Sequence, residues 1–191
     1  MAKLISTAFI SLDGVMEAPG GEPGYRSAGW TFKDIEFLDE VYELKGQEQL
    51  DATAMMLGRL SYEAFSAVWP SMTDDFPQFN AMPKYVVSTT LDPSALVTNW
   101  GEITLLRSLD DVAQLKKRAE GNIIIHGSAT LNRDLADAGL IDRYNLLVFP
   151  LLLGAGKRLF SQTDKDKQML RLVDSKTYAN GIQKMVYDVV R

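Results

Sequence analysis

Two short stretches combine residue types that can hold a charged ligand. One is Leu57-Gly58-Arg59-Leu60-Ser61-Tyr62 and the other is His126-Gly127-Ser128-Ala129-Thr130-Leu131. In each, a β-rich run ends at a glycine, and a hydroxyl residue stands where a helix would begin. Glycine carries no Cβ, so an anionic ligand can approach the backbone closely. The first amides of a helix lack intrahelical acceptors, and together with the helix dipole they receive phosphate oxygens. Arg59 adds a permanent positive charge on a planar array of donors. Two such cradles on one sheet edge suit the pyrophosphate and the adenosine phosphate of a dinucleotide. The bland alternative at each junction is a glycine that turns the chain and a serine that caps a helix.

Other chemistries fail on the residues present. Gly154-Ala155-Gly156-Lys157 begins like a dinucleotide fingerprint, but Leu159 stands where its third glycine belongs; Leu151 and Arg158 break the alternative reading as a P-loop. The chain has no cysteine and a single histidine, His126. Thiolate and multi-histidine metal sites are therefore excluded, and no metal is expected. No G-x-S-x-G elbow accompanies His126. A reduction also needs a proton. Asp13, Glu17 and Asp34 are candidate carriers, because a carboxyl in a dry pocket can stay protonated near neutral pH.

These residues need elements to position them. Lys3 to Ser11 reads as a strand ending at the turn Leu12-Asp13-Gly14, and a Gly/Pro-rich loop fills 16–30. From Phe32 the apolar residues Ile35, Leu38 and Tyr42 recur at helical spacing among acidic residues, which predicts an amphipathic helix with Asp34 near its start. Ala54 to Leu57 is a short strand and Arg59 to Trp69 a helix closed by Pro70. Strands follow at Lys84–Thr89, Ile103–Leu106, Asn122–His126 and Tyr144–Phe149. Between them, one helix opens at Ser108 with Asp111 completing a capping box, and another starts at Gly127-Ser128 and stops at Gly139. Asn180-Gly181, set between two β-rich runs, predicts a C-terminal hairpin. Alternating strands and helices imply a three-layer α/β/α fold with a mainly parallel central sheet and an antiparallel C-terminal hairpin. With no linker or repeat, residues 1–191 read as one domain. The net charge of −5 argues against a nucleic-acid partner. No run approaches the about 18 apolar residues a membrane span needs, and no secretory leader is evident, so the expectation is a cytoplasmic protein without a membrane partner.

Taken together, the motifs resemble those of the dihydrofolate reductase-like superfamily, and most of all the reductase domain at the C-terminus of the bifunctional riboflavin-biosynthesis deaminase-reductase. Ser11-Leu12-Asp13-Gly14, Leu57-Gly58-Arg59-Leu60-Ser61-Tyr62-Glu63, Lys84 to Thr90, Gly127-Ser128-Ala129-Thr130-Leu131, and Leu140 to Pro150 with Gly154 to Phe160 carry the likeness in order along the chain. Two departures are Ser61 for a usual threonine and His126 for the first of two adjacent glycines. The resemblance implies an NADPH-dependent reductase, usually a homodimer, acting on a small pyrimidine-, pteridine- or imine-like molecule. It puts Gly58, Arg59 and Ser61 near the adenosine phosphates, Ser88 and Thr89 near the adenine ribose, and Gly127, Ser128, Ala129 and Thr130 around the pyrophosphate. Ala8, Asp13, Gly14 and Val15 would line the nicotinamide, the 16–30 loop would close over it with Trp30 as an aromatic wall, and Asp34 is the nearest counterpart of a proton-donating carboxylate. The alternative is a nucleotide-binding module that keeps the cradle without the chemistry.

Overall fold

The first β-rich run forms a strand, β1 (Lys3–Ser11), whose side chains alternate between two buried faces. Leu4, Ala8 and Ile10 enter one core while Ile5 enters another. A strand covered on both faces belongs in the middle of a sheet. The computed structural model, which describes residues 1–160 and 167–191, puts β1 there. The remaining strands are β2 (Ala52–Gly58), β3 (Lys84–Val87), β4 (Ile103–Leu106), β5 (Asn122–His126), β6 (Arg143–Phe149), β7 (Leu170–Thr177) and β8 (Gln183–Val189). They form one eight-stranded sheet in the order β4-β3-β2-β5-β1-β6-β8-β7. Every pairing from β4 to β6 is parallel, so six strands end on one carboxyl rim. Only β8 runs antiparallel to its neighbours, β6 and β7.

Helices cover both faces, as expected for three α/β/α layers. Helices α1 (Asp39–Asp51), α2 (Arg59–Ser66) and α3 (Pro77–Ala81) bury Val41, Tyr62 and Phe79 on the face that holds Ile5. Helices α4 (Leu109–Arg118) and α5 (Ala129–Asp137) bury Val112, Leu115, Leu131 and Leu135 on the other. The capping box of α4 is formed: Ser108 Oγ accepts from the Asp111 amide at 3.1 Å, and the Asp111 carboxylate accepts from the Ser108 amide at 3.0 Å. The hairpin turns at Gly181, φ +82°, with the Tyr178 amide donating to Ile182 O at 2.9 Å. The β7–β8 register shifts at Val173. Among the described residues, no helix is long and apolar enough to cross a membrane.

The largest differences from expectation are in two helices; in addition β3 stops at Val87, short of the expected Thr89, and β2 extends from Ala52 to Gly58. The helix predicted from Phe32 begins only at Asp39. Its apolar residues do face the core, since Ile35, Leu38 and Tyr42 all pack there. However, the Asn180 side chain takes the Glu36 carbonyl at 2.9 Å, and Lys33 Nζ donates to Ala28 O at 2.5 Å, so residues 31–38 are tied to loops instead of to a helix. The second helix ends at Ser66, and Trp69–Ser71 forms a separate 3-10 turn around Pro70, whose missing N–H cannot continue a helical ladder.

Candidate functional site

The two glycine junctions meet on the carboxyl rim. β2 ends at Gly58 and β5 at His126, and these strands are hydrogen-bonded neighbours, so α2 and α5 start side by side. Neither helix has a side-chain cap. The two serines bind each other's junction instead: Ser128 Oγ accepts from the Gly58 amide at 2.8 Å, and Ser61 Oγ accepts from the Ser128 amide at 2.9 Å. The capping role considered for them is thus replaced by a cross-tie, and both helix starts lack a side-chain cap. Gly127 has φ +57°, and a Cβ there would stand 2.9 Å from Ser61 Oγ, so the position requires glycine. Ser128 also adopts a left-handed conformation, φ +63°. With His126 in place of a first glycine, the turn keeps one glycine and puts its second left-handed residue on serine.

The other rim residues divide into exposed and committed groups. Arg59 is half-exposed, and its partner Glu63, 3.5 Å away, is equally exposed, so the guanidinium is available to an anion. Thr89 is exposed beyond β3, whereas Ser88 Oγ accepts from the Thr90 and Leu91 amides at 3.2 and 3.0 Å and shapes that turn. Thr130 is exposed and Ala129 buried. Ala8 lies within β1, its side chain in the α4/α5 core, and Val15 is fully buried. Gly14 O accepts from the Leu159 amide at 3.0 Å, joining the end of β1 to the segment after β6.

Asp13 completes that junction. Its carboxylate accepts from Ser11 Oγ at 2.6 Å and from the Leu153 and Gly154 amides at 3.1 and 2.9 Å, and it pairs with Arg158. The Ser11 hydroxyl and these amides hold its pKa down to about 2. Asp13 therefore stays ionised and cannot carry a proton at neutral pH. Glu17 is also occupied, accepting from the Lys157 amide at 2.8 Å. Asp34, expected early in a helix beside the reacting ring, is instead exposed in the turn before α1 and lines no dry pocket. Trp30 is core and not a wall: it is 1 % exposed, edge-on to Phe149, with its indole N–H donating to Glu17 O at 2.8 Å. The 16–30 loop is pinned to the 153–158 segment through Tyr25 Oη, which donates to Ala155 O at 2.6 Å, and through the Val15–Arg158 bridge.

A second polar group lies on the sheet face below the rim. The register sets Thr7 of β1 beside His126 of β5 and Asn145 of β6, so three polar side chains form a row across three strands. Helix α1 covers the row with Lys45 and Glu48. Glu48 is 5 % exposed and accepts from Thr7 Oγ1 at 2.8 Å and Asn145 Nδ2 at 2.8 Å. Lys45 Nζ donates to Thr7 Oγ1, lies 3.3 Å from Glu48 Oε2 and sits 5.0 Å from the Phe9 ring centre. Burial lowers the lysine pKa, against the opposing pull of Glu48. His126 meets Phe79 and Trp69 edge-on, and burial, aided by the nearby Lys45 charge, pushes its pKa down to about 3. The imidazole is therefore neutral. Of these residues only His126 was singled out in the sequence, as part of a turn. Lys45, Glu48, Thr7 and Asn145 become visible only through the register; the i,i+3 Lys–Glu spacing was their one local signal.

A mainly parallel sheet between two helix layers, with two uncapped helix starts at its carboxyl rim, defines the class: an α/β protein of the kind in which ligands sit at the strand ends. The chain belongs to the RibD C-terminal domain family, whose model matches residues 2–184. It is 27% identical to the uncharacterized protein YyaP of Bacillus subtilis, an alignment that covers 97% of this chain and 94% of that one. Among solved structures it superposes on a putative riboflavin biosynthesis protein from Shewanella sp. PV-4 with TM-score 0.75 and 21% identity over the whole of both chains. It also superposes on dihydrofolate reductase from Enterococcus faecalis, solved with NADP(H), with TM-score 0.60 and 15% identity, covering 99% of this chain and 97% of that one. The fold is dihydrofolate reductase-like. The rim of this chain fits a dinucleotide phosphate group: neither helix start is capped by its own side chain, and the half-exposed Arg59 can take a further negative charge.

Proposed function

We propose that the chain is an NADPH-dependent reductase that passes hydride to a small heterocyclic or imine/carbonyl substrate, pyrimidine- or pteridine-like, with activity of the 5-amino-6-(5-phosphoribosylamino)uracil reductase type as one case. The observation that carries this reading is the pair of uncapped helix starts cross-tied by Ser61 and Ser128, a rigid anion cradle with Arg59 at its side. In this reading the Gly127, Ala129 and Thr130 amides and the Ser128 hydroxyl hold the pyrophosphate, and Gly58, Arg59 and Ser61 border the adenosine phosphate. Thr89 and the Ser88 turn border the ribose, and the Asp13–Val15 backbone with Ala8 borders the nicotinamide. Bound there, the coenzyme supplies the hydride; the protein aligns the ring and excludes water. The reading treats residues 1–191 as one reductase domain working in the cytoplasm. It also takes the chain to be a homodimer, a role for which β7, an edge strand exposing Leu172 and Val173, offers an unpaired surface.

Calorimetry with both coenzymes tests the assignment. Wild-type protein binds NADPH more tightly than NADH, and Arg59→Ala weakens NADPH by about tenfold while leaving NADH within about twofold, because a guanidinium–phosphate contact is worth about 1.4 kcal/mol or more. Equal losses for both coenzymes would mean that Arg59 does not read the extra phosphate. Tight NADPH binding without oxidation of the coenzyme by any heterocycle in a panel would favour the non-catalytic binding module.

A further inference from the structure

With Asp13 ionised, Glu17 occupied and Asp34 exposed, none of the carboxylates picked out in the sequence is placed to deliver the proton of the reduction, which leaves solvent or another side chain. The polar row under α1 supplies one. An ammonium has three donors. On Lys45, Thr7 Oγ1 and Glu48 Oε2 account for two, and the third has no acceptor among the described residues. Glu48 has no comparable vacancy, since Thr7, Asn145 and Lys45 already surround it. The lysine side chain is 15 % exposed, so one side of it opens outward while the rest is enclosed. It also stands where chemistry would be needed. Thr7 precedes Ala8 in β1 and is level with His126, the residue before the Gly127 cradle, so the strand whose Thr7 accepts from Lys45 lies one strand spacing, about 4.8 Å, from the strand that ends in the cradle.

The surroundings select a flat partner. Trp69 stacks between Phe65 and Phe76, at 4.6 and 4.5 Å between ring centres, and all three are only half-buried. His126 joins that aromatic stack to the polar row through its edge contact with Trp69 at 5.6 Å. Its Nε2 is enclosed and has no hydrogen-bond partner. A neutral imidazole at this point adds no second positive charge beside Lys45.

We propose that Lys45 is the substrate-side acid of the reaction: a planar nitrogen heterocycle docks at the open side of Lys45, beside the Trp69 stack, with a ring carbonyl oxygen or imine nitrogen on the free Nζ–H of Lys45. This rests on the reductase reading. Hydride from the reduced pyridine nucleotide forms the new C–H bond, and the π pair of the C=N or conjugated C=O unit moves to the nitrogen or oxygen. That atom takes the proton from Lys45 as the Nζ–H bond breaks. The heterocycle is reduced by one hydride and one proton, the nucleotide is oxidised, and the neutral amine recovers its proton from water. Glu48, held by Thr7 and Asn145, fixes the lysine and favours its charged form.

Barbiturate, a flat cyclic imide that is anionic at neutral pH, is the probe, because its ring oxygens imitate the charge that develops after hydride addition. The full chain is titrated with it by calorimetry, with and without NADP⁺, and the lysine side-chain NMR signals are followed alongside. Wild-type protein binds the probe, and binding moves the Lys45 signal. Lys45→Met weakens the probe by at least about tenfold while NADP⁺ stays within about twofold. Because Lys45→Met strands a buried carboxylate, the double variant Lys45→Met/Glu48→Gln, which removes both charges, is measured too and shows the same loss. The proposal is overturned if the wild type does not bind barbiturate, if the probe binds without moving the Lys45 signal, or if the double variant binds it as well as the wild type. Loss of NADP⁺ binding in a wild type that still needs Lys45 for barbiturate would sink the coenzyme assignment and leave the lysine site standing.

Discussion

The rim and the row beneath α1 both present donors to a ligand, but they are built in opposite ways. The rim uses backbone amides, two hydroxyls and two glycines, and its one strong charge, Arg59, sits in water. The row uses a carboxylate and an ammonium taken out of water and held by Thr7 and Asn145. A site of backbone dipoles costs little to assemble, because those groups exist in any helix start. A buried ion pair is expensive to desolvate and is retained only where mutual attraction and further hydrogen bonds offset that cost. The rim is therefore a general anion holder, while the row is a specific, high-stakes construction whose members depend on one another.

The sharpest way to break that contrast is to remove Glu48. Glu48→Ala leaves the Thr7 hydroxyl, the Asn145 amide and the Lys45 ammonium without their acceptor. Breaking a buried pair on one side costs about 3–5 kcal/mol. Thermal unfolding should then fall by roughly 10 °C for a chain of this size. The double variant Lys45→Met/Glu48→Gln should recover most of the loss. If Glu48→Ala melts within about 2 °C of wild type, the pair is not energetically buried and the contrast with the rim disappears.

Legibility in the sequence follows the same divide. The rim was readable because its signal is local: a strand ending at glycine, then a hydroxyl, twice over, with both junctions kept within six residues. The strands, the α4 capping box and the Asn180-Gly181 turn were readable for the same reason. What escaped was the use made of Ser61 and Ser128, which reach across to each other and not down their own helices. The row was not readable at all. Thr7 and Asn145 pass as ordinary β-strand residues, and Glu48 is one of five acidic residues between Asp39 and Asp51. Polar residues run all round α1, so no apolar stripe marks which of them turns inward. Only the strand order β5-β1-β6 brings Thr7, His126 and Asn145 level. The late start of α1 had a similar cause, since Asn180, far away in the chain, takes the Glu36 carbonyl.

Acid offers a gentler test of the row. The pKa of His126 is lowered from 6.5 to about 3 by burial, so in acid the unfolded chain binds a proton that the folded chain refuses. Stability is complete above pH 6.5 and declines as the pH falls toward 3. His126→Leu should flatten this part of the curve, leaving the steeper loss below pH 3.8, where Asp13, with its folded pKa of about 2, gives up its clasp. Denaturant midpoints at half-unit pH intervals measure both limbs. An unchanged slope between pH 6.5 and 4 in His126→Leu would mean that the imidazole charges freely in the folded state.

The smallest effect belongs to the rim. Ser61→Ala removes the acceptor of the Ser128 amide and nothing else that is charged or buried with it. A single neutral hydrogen bond is worth about 1 kcal/mol, so the melting temperature should drop by only about 3 °C. Coenzyme affinity should fall by more than stability does, because the Ser61–Ser128 tie fixes the angle between two junctions that must hold the pyrophosphate and the adenosine phosphate of one coenzyme. Losing that tie converts a rigid cradle into two independent helix ends, and ordering them again on binding consumes part of the binding energy. Calorimetry with NADPH on Ser61→Ala and Ser61→Thr separates the contributions: threonine keeps the acceptor and should retain wild-type affinity, while alanine should lose several-fold. Equal affinity in all three proteins would show that the cross-tie serves folding alone and that each junction holds its share of the phosphate independently.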